Sequence, residues 1–148
     1  MPEAPMPLSE TAVRDFAGQW YAALDRHVAL EEMMRFVAAE GFEMSFPQGT
    51  FRGRPGFTEW YRTVCHRFFD EEHTLTDLRA EVNGTVARVR VRVNWQARTW
   101  TPPAARSEWL GFDAAQTWVV EQGARDPAPV IRTYVCEALE PMPGSAVL

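Results

Sequence analysis

The feature that most constrains the fold is a long alternation of apolar and polar residues that follows an Asn-Gly pair. From Ala87 to Arg98 the apolar side chains occupy every second position, and the positions between them hold four arginines and two amides. A period of two over this length predicts a strand with one buried and one solvated face, as in antiparallel sheets. Asn83-Gly84 predicts a tight turn that pairs this strand with the β-rich run over residues 74–82. The chain is therefore expected to be built around a long β-hairpin.

Three further strands are predicted on either side of the hairpin. Residues 42–46 alternate and stop at Pro47, after which Gly49 and Gly53 mark turns. Strands over residues 109–121 and 130–139 follow the hairpin, with a turn between them over residues 123–129. The hairpin and the last two strands together predict a meander of four long strands.

Three helices are predicted from apolar residues spaced three or four apart. Ser9 is a good N-cap for the first helix, whose apolar stripe runs from Val13 to Val28. A second, shorter helix over residues 30–37 is expected to end at Gly41, and Pro55 suits the first turn of a third helix. The stripe of the third helix comprises Phe57, Trp60, Tyr61, Val64, Cys65 and Phe68.

The order of these elements predicts an α+β domain in which helices cover one face of a sheet. Because three apolar helical stripes precede a meander, we expect a curved antiparallel sheet wrapped around three N-terminal helices. This arrangement leaves a cone with an apolar pocket, open at one end. Residues 9–140 are expected to form this single domain. Residues 1–8 and 141–148 are rich in proline and small residues and are expected to be tails.

Composition excludes several classes of function. The chain has 148 residues, of which 46% are hydrophobic, which is enough for a core. Its 20 acidic residues outnumber 15 basic ones, all arginine, so binding to nucleic acid or to an anionic membrane surface is not expected. The sequence has no run of about 18 apolar residues, so no membrane span is expected. Residues 1–7 lack the basic and apolar regions of a signal peptide, so none is expected. Cys65 and Cys136 stand in apolar patterns without metal-ligand spacing, which favours free thiols in a cytoplasmic protein.

Three short motifs carry a resemblance to a known family over residues 9–140. They are Trp20-Tyr21-Ala22-Ala23-Leu24-Asp25 at the end of the first helix, Phe51-Arg52-Gly53-Arg54-Pro55-Gly56-Phe57 before the third, and His73-Thr74-Leu75-Thr76-Asp77-Leu78 leading to Asn83-Gly84-Thr85-Val86-Ala87. In their order and spacing they resemble the SnoaL-like branch of the nuclear-transport-factor-two-like (NTF2-like) superfamily. The resemblance implies a cystatin-like α+β barrel.

The family resemblance is specific for the fold and leaves the activity open. The family includes isomerases, dehydratases, polyketide cyclases and non-catalytic binders. Asp25 and His73 stand where scytalone dehydratase carries a carboxylate and a histidine that act on the substrate. Tyr21 matches the hydrogen-bond donor of the ketosteroid isomerases, but Phe46 and Gln116 stand where those isomerases carry acids. Leu24 and Phe46 replace tyrosines of the dehydratase.

The residues themselves suggest a general base. Tyr21 and Asp25 are four residues apart and share one face of the first helix. Asp25 lies in the last turn, where the helix dipole disfavours an anion, so it needs a partner. An Asp25–His73 pair in an apolar cavity could act as an oriented base near neutral pH. A solvated Asp25 and a structural His73 are the alternative. The ligand pocket is predicted to be formed by Trp20, Phe46, Trp60, Val91, Trp95 and Gln116.

Two functions from different classes are consistent with these residues. The first is a cofactor-independent dehydratase, isomerase or cyclase that acts on a small apolar cyclic or polyketide-like compound through Asp25, His73 and Tyr21. The second is a non-catalytic ligand-binding or scaffold protein with the same pocket. No organic cofactor is expected because the sequence has no glycine-rich phosphate loop.

Two charged segments have simpler interpretations than a binding site. His66 and His73 flank acidic residues 70–72, but seven-residue spacing across a helix and a strand sets no metal geometry, so a solvated acidic helix end is predicted and no metal. The arginine row of the hairpin is predicted to face solvent and to pair with Asp77 and Glu81 across strands.

The outer face of the sheet is predicted to be covered. The strand over residues 109–121 carries apolar residues on both of its rows, which include Trp109 and Val119 on the outer one. We therefore expect a two-fold homodimer through the sheet. Trp100 and Trp109 are candidates for the mouth of the cone or for a partner surface.

Overall fold

A computed structural model describes residues 8–123 and 128–148. Helix α1 spans Glu10–Asp25, α2 spans Leu30–Met33 and continues as a 3-10 turn over Met34–Phe36, and α3 spans Gly53–Arg67. The strands are β1 Glu43–Phe46, β2 Gly49–Arg52, β3 Phe68–Asn83, β4 Val86–Thr99, β5 Glu108–Gln122 and β6 Pro129–Pro141. Most of the turn predicted over residues 123–129 lies outside the described residues.

The strands form one six-stranded sheet in the order β2-β1-β6-β5-β4-β3. The four long strands pair antiparallel with their sequence neighbours, which confirms the predicted meander. The sheet is mixed, because β1 pairs parallel with β6, and it is not closed into a barrel. The α+β class with three helices against a sheet is confirmed.

The predicted hairpin and its alternation are confirmed. Asn83 pairs with Val86 across a two-residue turn in which Gly84 has φ +65°. Along β4 the residues Ala87, Val89, Val91 and Val93 are buried, and the arginines between them are exposed. At the other end of the chain Ser9 caps α1 by accepting a hydrogen bond from the Ala12 N–H at 3.1 Å.

Three element predictions need correction. The second helix ends at Phe36, well before Gly41, because Val37 leaves the helix and forms a parallel bridge with Ile131 of β6. Gly49 begins strand β2, which completes a hairpin with β1 around Pro47 and Gln48. Phe68, predicted on the stripe of the third helix, is instead the first residue of β3, because α3 passes into that strand without a loop.

The helices pack on one face of the sheet and bury an aromatic-rich core. Trp20 of α1 and Trp118 of β5 are fully buried, with ring centroids 6.3 Å apart. Arg14 on the first turns of α1 donates to the carbonyl of Leu78, which holds α1 over β3. A second apolar cluster, formed by Phe68, Ala97, Leu110 and Phe112, lies at the other end of the sheet.

The chain ends are more closely packed than a tail implies. Leu8 is buried in the main core. Residues 142–148 fold back on β5, where the Gly111 N–H donates to Ser145 Oγ and the Ala146 N–H donates to the Trp109 carbonyl, both at 2.9 Å. Ala146 and Leu148 pack against the second apolar cluster. The segment fits there because β5 extends beyond the end of β6, whose pairing with β5 begins only at Phe112.

The arginines of β4 do not form the predicted ion pairs. Arg92 lies opposite Asp77 and Arg88 opposite Glu81 in the register, but within the described ranges neither forms a salt bridge. Asp77 instead lies 3.7 Å from Arg79 on its own strand. Within the described part of the chain, no helix has the length and apolar character needed to cross a membrane.

Candidate functional site

A cavity of about 330 Å³ lies between the helices and the inner face of the sheet. Its wall is mainly apolar, and three of its polar members, Glu71, His73 and Gln116, come from the sheet. The predicted pocket residues Phe46, Trp60, Trp95 and Gln116 all line it. The aromatic wall is formed by Phe46, Phe51, Trp60, Phe68, Trp95 and Tyr134.

Two predicted pocket residues lie elsewhere. Trp20 is fully buried under Trp60, whose ring stacks on it with centroids 6.2 Å apart and 7° between planes. Trp60 therefore stands between Trp20 and the cavity. Val91 is 2% exposed and pairs with Leu78 in the part of the sheet that α1 covers, so it belongs to the core.

Asp25 and His73 lie in direct contact. Oδ1 of Asp25 is 2.6 Å from His73 Nδ1, and Oδ2 accepts the backbone N–H of His73 at 3.0 Å. Asp25 is the last residue of α1 and His73 lies on β3, so the pair joins the helix to the sheet. Both side chains are mostly buried, with 23% and 11% of their surfaces exposed. The contact supplies the partner that a carboxylate at a helix C-terminus requires.

The contact with Asp25 determines how the imidazole is used. An ionised carboxylate only accepts hydrogen bonds, so Nδ1 of His73 is assigned as the donor. Nε2 then carries the lone pair of a neutral ring, and it has no protein partner among residues 8–123 and 128–148. His73 lines the cavity, between the ring of Tyr21 at 5.0 Å and that of Trp95 at 6.2 Å.

Tyr21 supports this site from behind the cavity wall. Its hydroxyl donates to Gln116 Oε1 at 2.7 Å, and the same oxygen accepts the Trp118 indole N–H at 3.1 Å. Burial, reinforced by the nearby Tyr134 hydroxyl, raises the pKa of Tyr21 well above its ordinary value, so the phenol stays neutral and remains a donor. Tyr21 thus fixes the amide of Gln116 and does not itself line the cavity.

Cys136 brings a buried thiol to the cavity wall. It is 3% exposed and free. Burial raises the pKa of Cys136 to about 11, so the group is a neutral thiol at physiological pH. A thiol that is not ionised is a poor nucleophile, which makes Cys136 part of the wall rather than a reactive group.

Glu71 is a buried polar residue of the cavity that the sequence interpretation missed, as it also missed the lining residues Gln48, Thr63 and Arg67. Predicted to belong to a solvated acidic helix end, it lies on β3 with only 2% of its side chain exposed. Its Oε1 accepts the indole N–H of Trp95 at 3.1 Å, and its Oε2 contacts Nε2 of His27. His27, which has φ +49° just after α1, was not predicted to contribute to the site.

A β-bulge turns Glu71 inward. Phe69 pairs with Arg98 and Glu72 with Gln96, so β3 has one more residue than β4 over this stretch. Asp70 is at the bulge and has φ +51°, a conformation that aspartate tolerates better than most residues. Because of this bulge, Phe68, Glu71 and His73 all face the interior.

The remaining candidates stay outside the site. His66 is exposed on α3. Across the described residues, no group of three or more His, Cys, Asp or Glu side chains is placed to hold a metal ion. Trp100 is 51% exposed and its indole N–H donates to the Ala104 carbonyl, while Trp109 packs against Gly111. Neither tryptophan lines the cavity.

Solved structures of NTF2-like proteins share this α+β architecture. An NTF2-like superfamily protein from Salmonella enterica superimposes with a TM-score of 0.73 at 12% identity, covering 91% of this chain and 93% of its own. Residues 7–125 match the SnoaL-like domain family, and the chain belongs to that family. No curated protein matches the sequence.

Two structures with named activities share the fold. The hexachlorocyclohexane dehydrochlorinase LinA-type3 from Novosphingobium barchaimii is 17% identical, covers 93% of this chain and 92% of its own, and has a TM-score of 0.70. A protein assigned as a scytalone dehydratase from Novosphingobium aromaticivorans is 18% identical, covers 93% and 88%, and has a TM-score of 0.69. At these identities the similarity establishes the fold.

Proposed function

We propose that this protein is a cofactor-independent lyase or isomerase that removes a proton from a small apolar cyclic or polyketide-like compound bound in the cavity. The observation that carries the proposal is the Asp25–His73 contact. A carboxylate holds Nδ1, and Nε2 has no partner among the described residues and faces a mainly apolar cavity. A base held in this way needs no reorganisation before it reacts.

His73 is the base in this mechanism and Asp25 is its positioning residue. Nε2 takes the proton from carbon, and the resulting imidazolium is stabilised by the Asp25 carboxylate at 2.6 Å. The second oxygen of Asp25 is bound to the backbone N–H of His73, so the carboxylate cannot rotate away. The low exposure of both groups strengthens their electrostatic interaction relative to a surface pair.

Gln116 is the group best placed to stabilise negative charge that develops on a substrate oxygen. Tyr21 and Trp118 both donate to its Oε1, so its amide nitrogen is turned to the opposite side. There Gln116 hydrogen-bonds Tyr134 and Cys136 at the cavity wall, and a substrate oxygen would replace one of these two partners. An amide N–H can donate to a carbonyl oxygen that becomes an enolate. The aromatic wall formed by Phe46, Trp60 and Trp95 suits a flat ring.

The relatives support an elimination as the reaction class. A dehydrochlorinase removes hydrogen chloride and a dehydratase removes water, and both reactions begin at a C–H bond next to a carbon with a leaving group. Both proteins share this fold. A base in an apolar cavity is the element that these reactions have in common.

The test is turnover of 5-nitrobenzisoxazole, which opens when a base removes its one reactive C–H proton. We expect wild-type protein to open this probe faster than the buffer does, and His73→Gln to lower kcat by about a hundredfold, in the usual range for a lost general base. His66→Gln, on the exposed surface of α3, is the matched control. Wild-type turnover that His73→Gln leaves unchanged would rule out His73 as the base and favour the non-catalytic binding protein.

We also propose that the protein is a homodimer that packs through the outer face of the sheet. The outer positions of β5 and β6, such as Ala115, Val119 and Val135, are half-buried and largely apolar. Two free cysteines support a reducing compartment such as the cytoplasm.

A further inference from the structure

Glu71 and His27 form a second carboxylate–imidazole pair that the proposed base does not use. Glu71 lines the cavity with 2% of its side chain exposed, and His27 lies behind it with 26% exposed. The pair therefore connects the cavity to solvent through two groups that can each carry a proton. Burial of a carboxylate is costly unless partners offset its lost hydration, and Trp95 and His27 are those partners here.

We propose that Glu71 is the general acid that protonates the leaving group, and that His27 is the positioning residue that returns the proton to it. This inference rests on the proposed function and deepens it, because it names the substrate class. An acid is needed when the leaving group is a strong base such as hydroxide, and not when it is a stable anion. The substrate class is therefore a cyclic compound with a hydroxyl group β to a carbonyl.

The placement of the two pairs suits this division of work. Glu71 and His73 are two residues apart on the inner face of β3, about 7 Å along the strand, and both line the cavity. Trp95 links them, because its indole N–H donates to Glu71 and its ring stacks on His73 at 6.2 Å. A ring lying along this wall can present its C–H bond to His73 and the neighbouring C–O bond to Glu71.

The step balances in atoms and charge. Nε2 of His73 takes the proton from the carbon next to the carbonyl, and the C–H electron pair becomes the new C=C bond. The C–O bond breaks with its electron pair on oxygen, and the proton of the Glu71 carboxyl converts that oxygen to water. His73 then releases its proton to solvent, and Glu71 regains one through His27, so the protein returns to its starting state.

The experiment compares two probes that differ in their need for an acid. When the ring of 5-nitrobenzisoxazole opens, its leaving oxygen becomes a stabilised phenolate, so this probe needs only the base. The leaving group of 3-hydroxycyclohexanone is hydroxide, so this probe needs both the base and the acid. The variants are Glu71→Gln and His27→Gln. Their matched controls are Glu72→Gln, an exposed neighbour on β3, and His66→Gln on α3.

We expect Glu71→Gln to lower kcat for 3-hydroxycyclohexanone by about a hundredfold and to change 5-nitrobenzisoxazole turnover by less than about threefold. His27→Gln should show the same selectivity with a smaller loss, and the two controls should match wild type. Equal losses on both probes would mean that Glu71 only holds Trp95 and the wall, and would overturn the inference. Wild-type protein that opens 5-nitrobenzisoxazole but does not dehydrate 3-hydroxycyclohexanone would also overturn it. If neither probe reacts, the proposed function itself fails.

Discussion

At the scale of single residues, the site depends on how each polar group is satisfied in an apolar environment. Asp25 illustrates the rule, since the helix dipole disfavours its charge and both of its oxygens are bound by His73. Gln116 is the second case, because its one carbonyl oxygen accepts hydrogen bonds from both Tyr21 and Trp118. These hydrogen bonds also fix the orientation of a group that faces the cavity, which is His73 in the first case and Gln116 in the second.

The role of Tyr21 can be separated from catalysis with Tyr21→Phe. The phenylalanine ring keeps its stacking on His73, and Gln116 Oε1 retains Trp118 as a donor. We expect the free energy of unfolding to fall by about 1 kcal/mol, the net value of one hydrogen bond, and kcat for 5-nitrobenzisoxazole to change by less than about fivefold. Urea unfolding and the kinetic assay measure the two effects. A loss of kcat as large as that of His73→Gln would return Tyr21 to the catalytic role that the sequence suggested.

At the scale of the elements, β3 decides which side chains enter the cavity. It contains two bulges, one at Asp70 and one at Thr76, and each shifts the alternation by one residue. Between these two points Glu71, His73 and Leu75 face inward, and beyond the second Leu78 does. Without the first bulge, regular alternation from Phe68 would place Glu71 on the solvent face of β3. The contact between Glu71 and His27 would then not exist.

The bulge can be tested with a matched pair of substitutions at Asp70. Both Asp70→Gly and Asp70→Val remove the same exposed charge, but glycine adopts φ +51° freely and a β-branched residue does not. We expect Asp70→Val to be less stable than Asp70→Gly by roughly 1–2 kcal/mol. Thermal or urea unfolding of the two variants provides the comparison. Equal stability would mean that the positive φ at this position carries no cost.

The sequence predicts the regular parts of this fold and only part of its site. The β4 alternation, the Asn83-Gly84 turn and the Ser9 cap are local patterns, and all three are confirmed. Asp25 and His73 could be matched because the family motifs contain them. Glu71 and His27 could not, since their placement depends on a bulge and on φ +49° at His27. The spacing of Leu75 and Leu78 by three within one strand is the local signal that β3 is irregular.

At the scale of the whole molecule, buried thiol and phenol groups cause the stability of the fold to decrease at alkaline pH. Burial raises the pKa of Cys136 from 9.0 to about 11 and raises the pKa of Tyr21 and Tyr134 as well. The folded state therefore binds more protons than the unfolded state above pH 9. This stabilisation is fully present below the unfolded pKa and is lost as the pH rises through the folded value.

The contribution of one thiol to this behaviour can be isolated with Cys136→Ala. We expect the free energy of unfolding of the wild type to fall between about pH 8 and about pH 11, and the variant to lose less over the same range. Its stability at about pH 8 should be lower than that of wild type because a buried sulfur is removed. Urea unfolding at the two pH values measures both quantities. Parallel losses in the two proteins would assign the alkaline effect to the tyrosines and to Cys65, whose pKa burial also raises.

The homodimer proposal makes a second prediction for the whole molecule. Light scattering at micromolar concentration should give twice the chain mass of 16.9 kDa. Val119→Glu places a carboxylate on the outer face of β5, where it would be buried in the interface, and should shift the particle toward the monomer mass. Glu108→Gln at the start of the same strand serves as the control. A wild-type particle of 16.9 kDa would contradict the proposal.

The central claim is that Asp25 and His73 act as one unit, and a double-mutant cycle on kcat/KM for 5-nitrobenzisoxazole tests it most directly. Asp25→Asn keeps the shape of the side chain but removes the charge that orients and stabilises the imidazole. Asp25→Asn and His73→Gln should each lower kcat/KM by about a hundredfold, and the double variant should be no slower than His73→Gln alone, because a positioning residue has no effect once its base is gone. Losses that multiply in the double variant, or an Asp25→Asn protein as fast as wild type, would contradict the account.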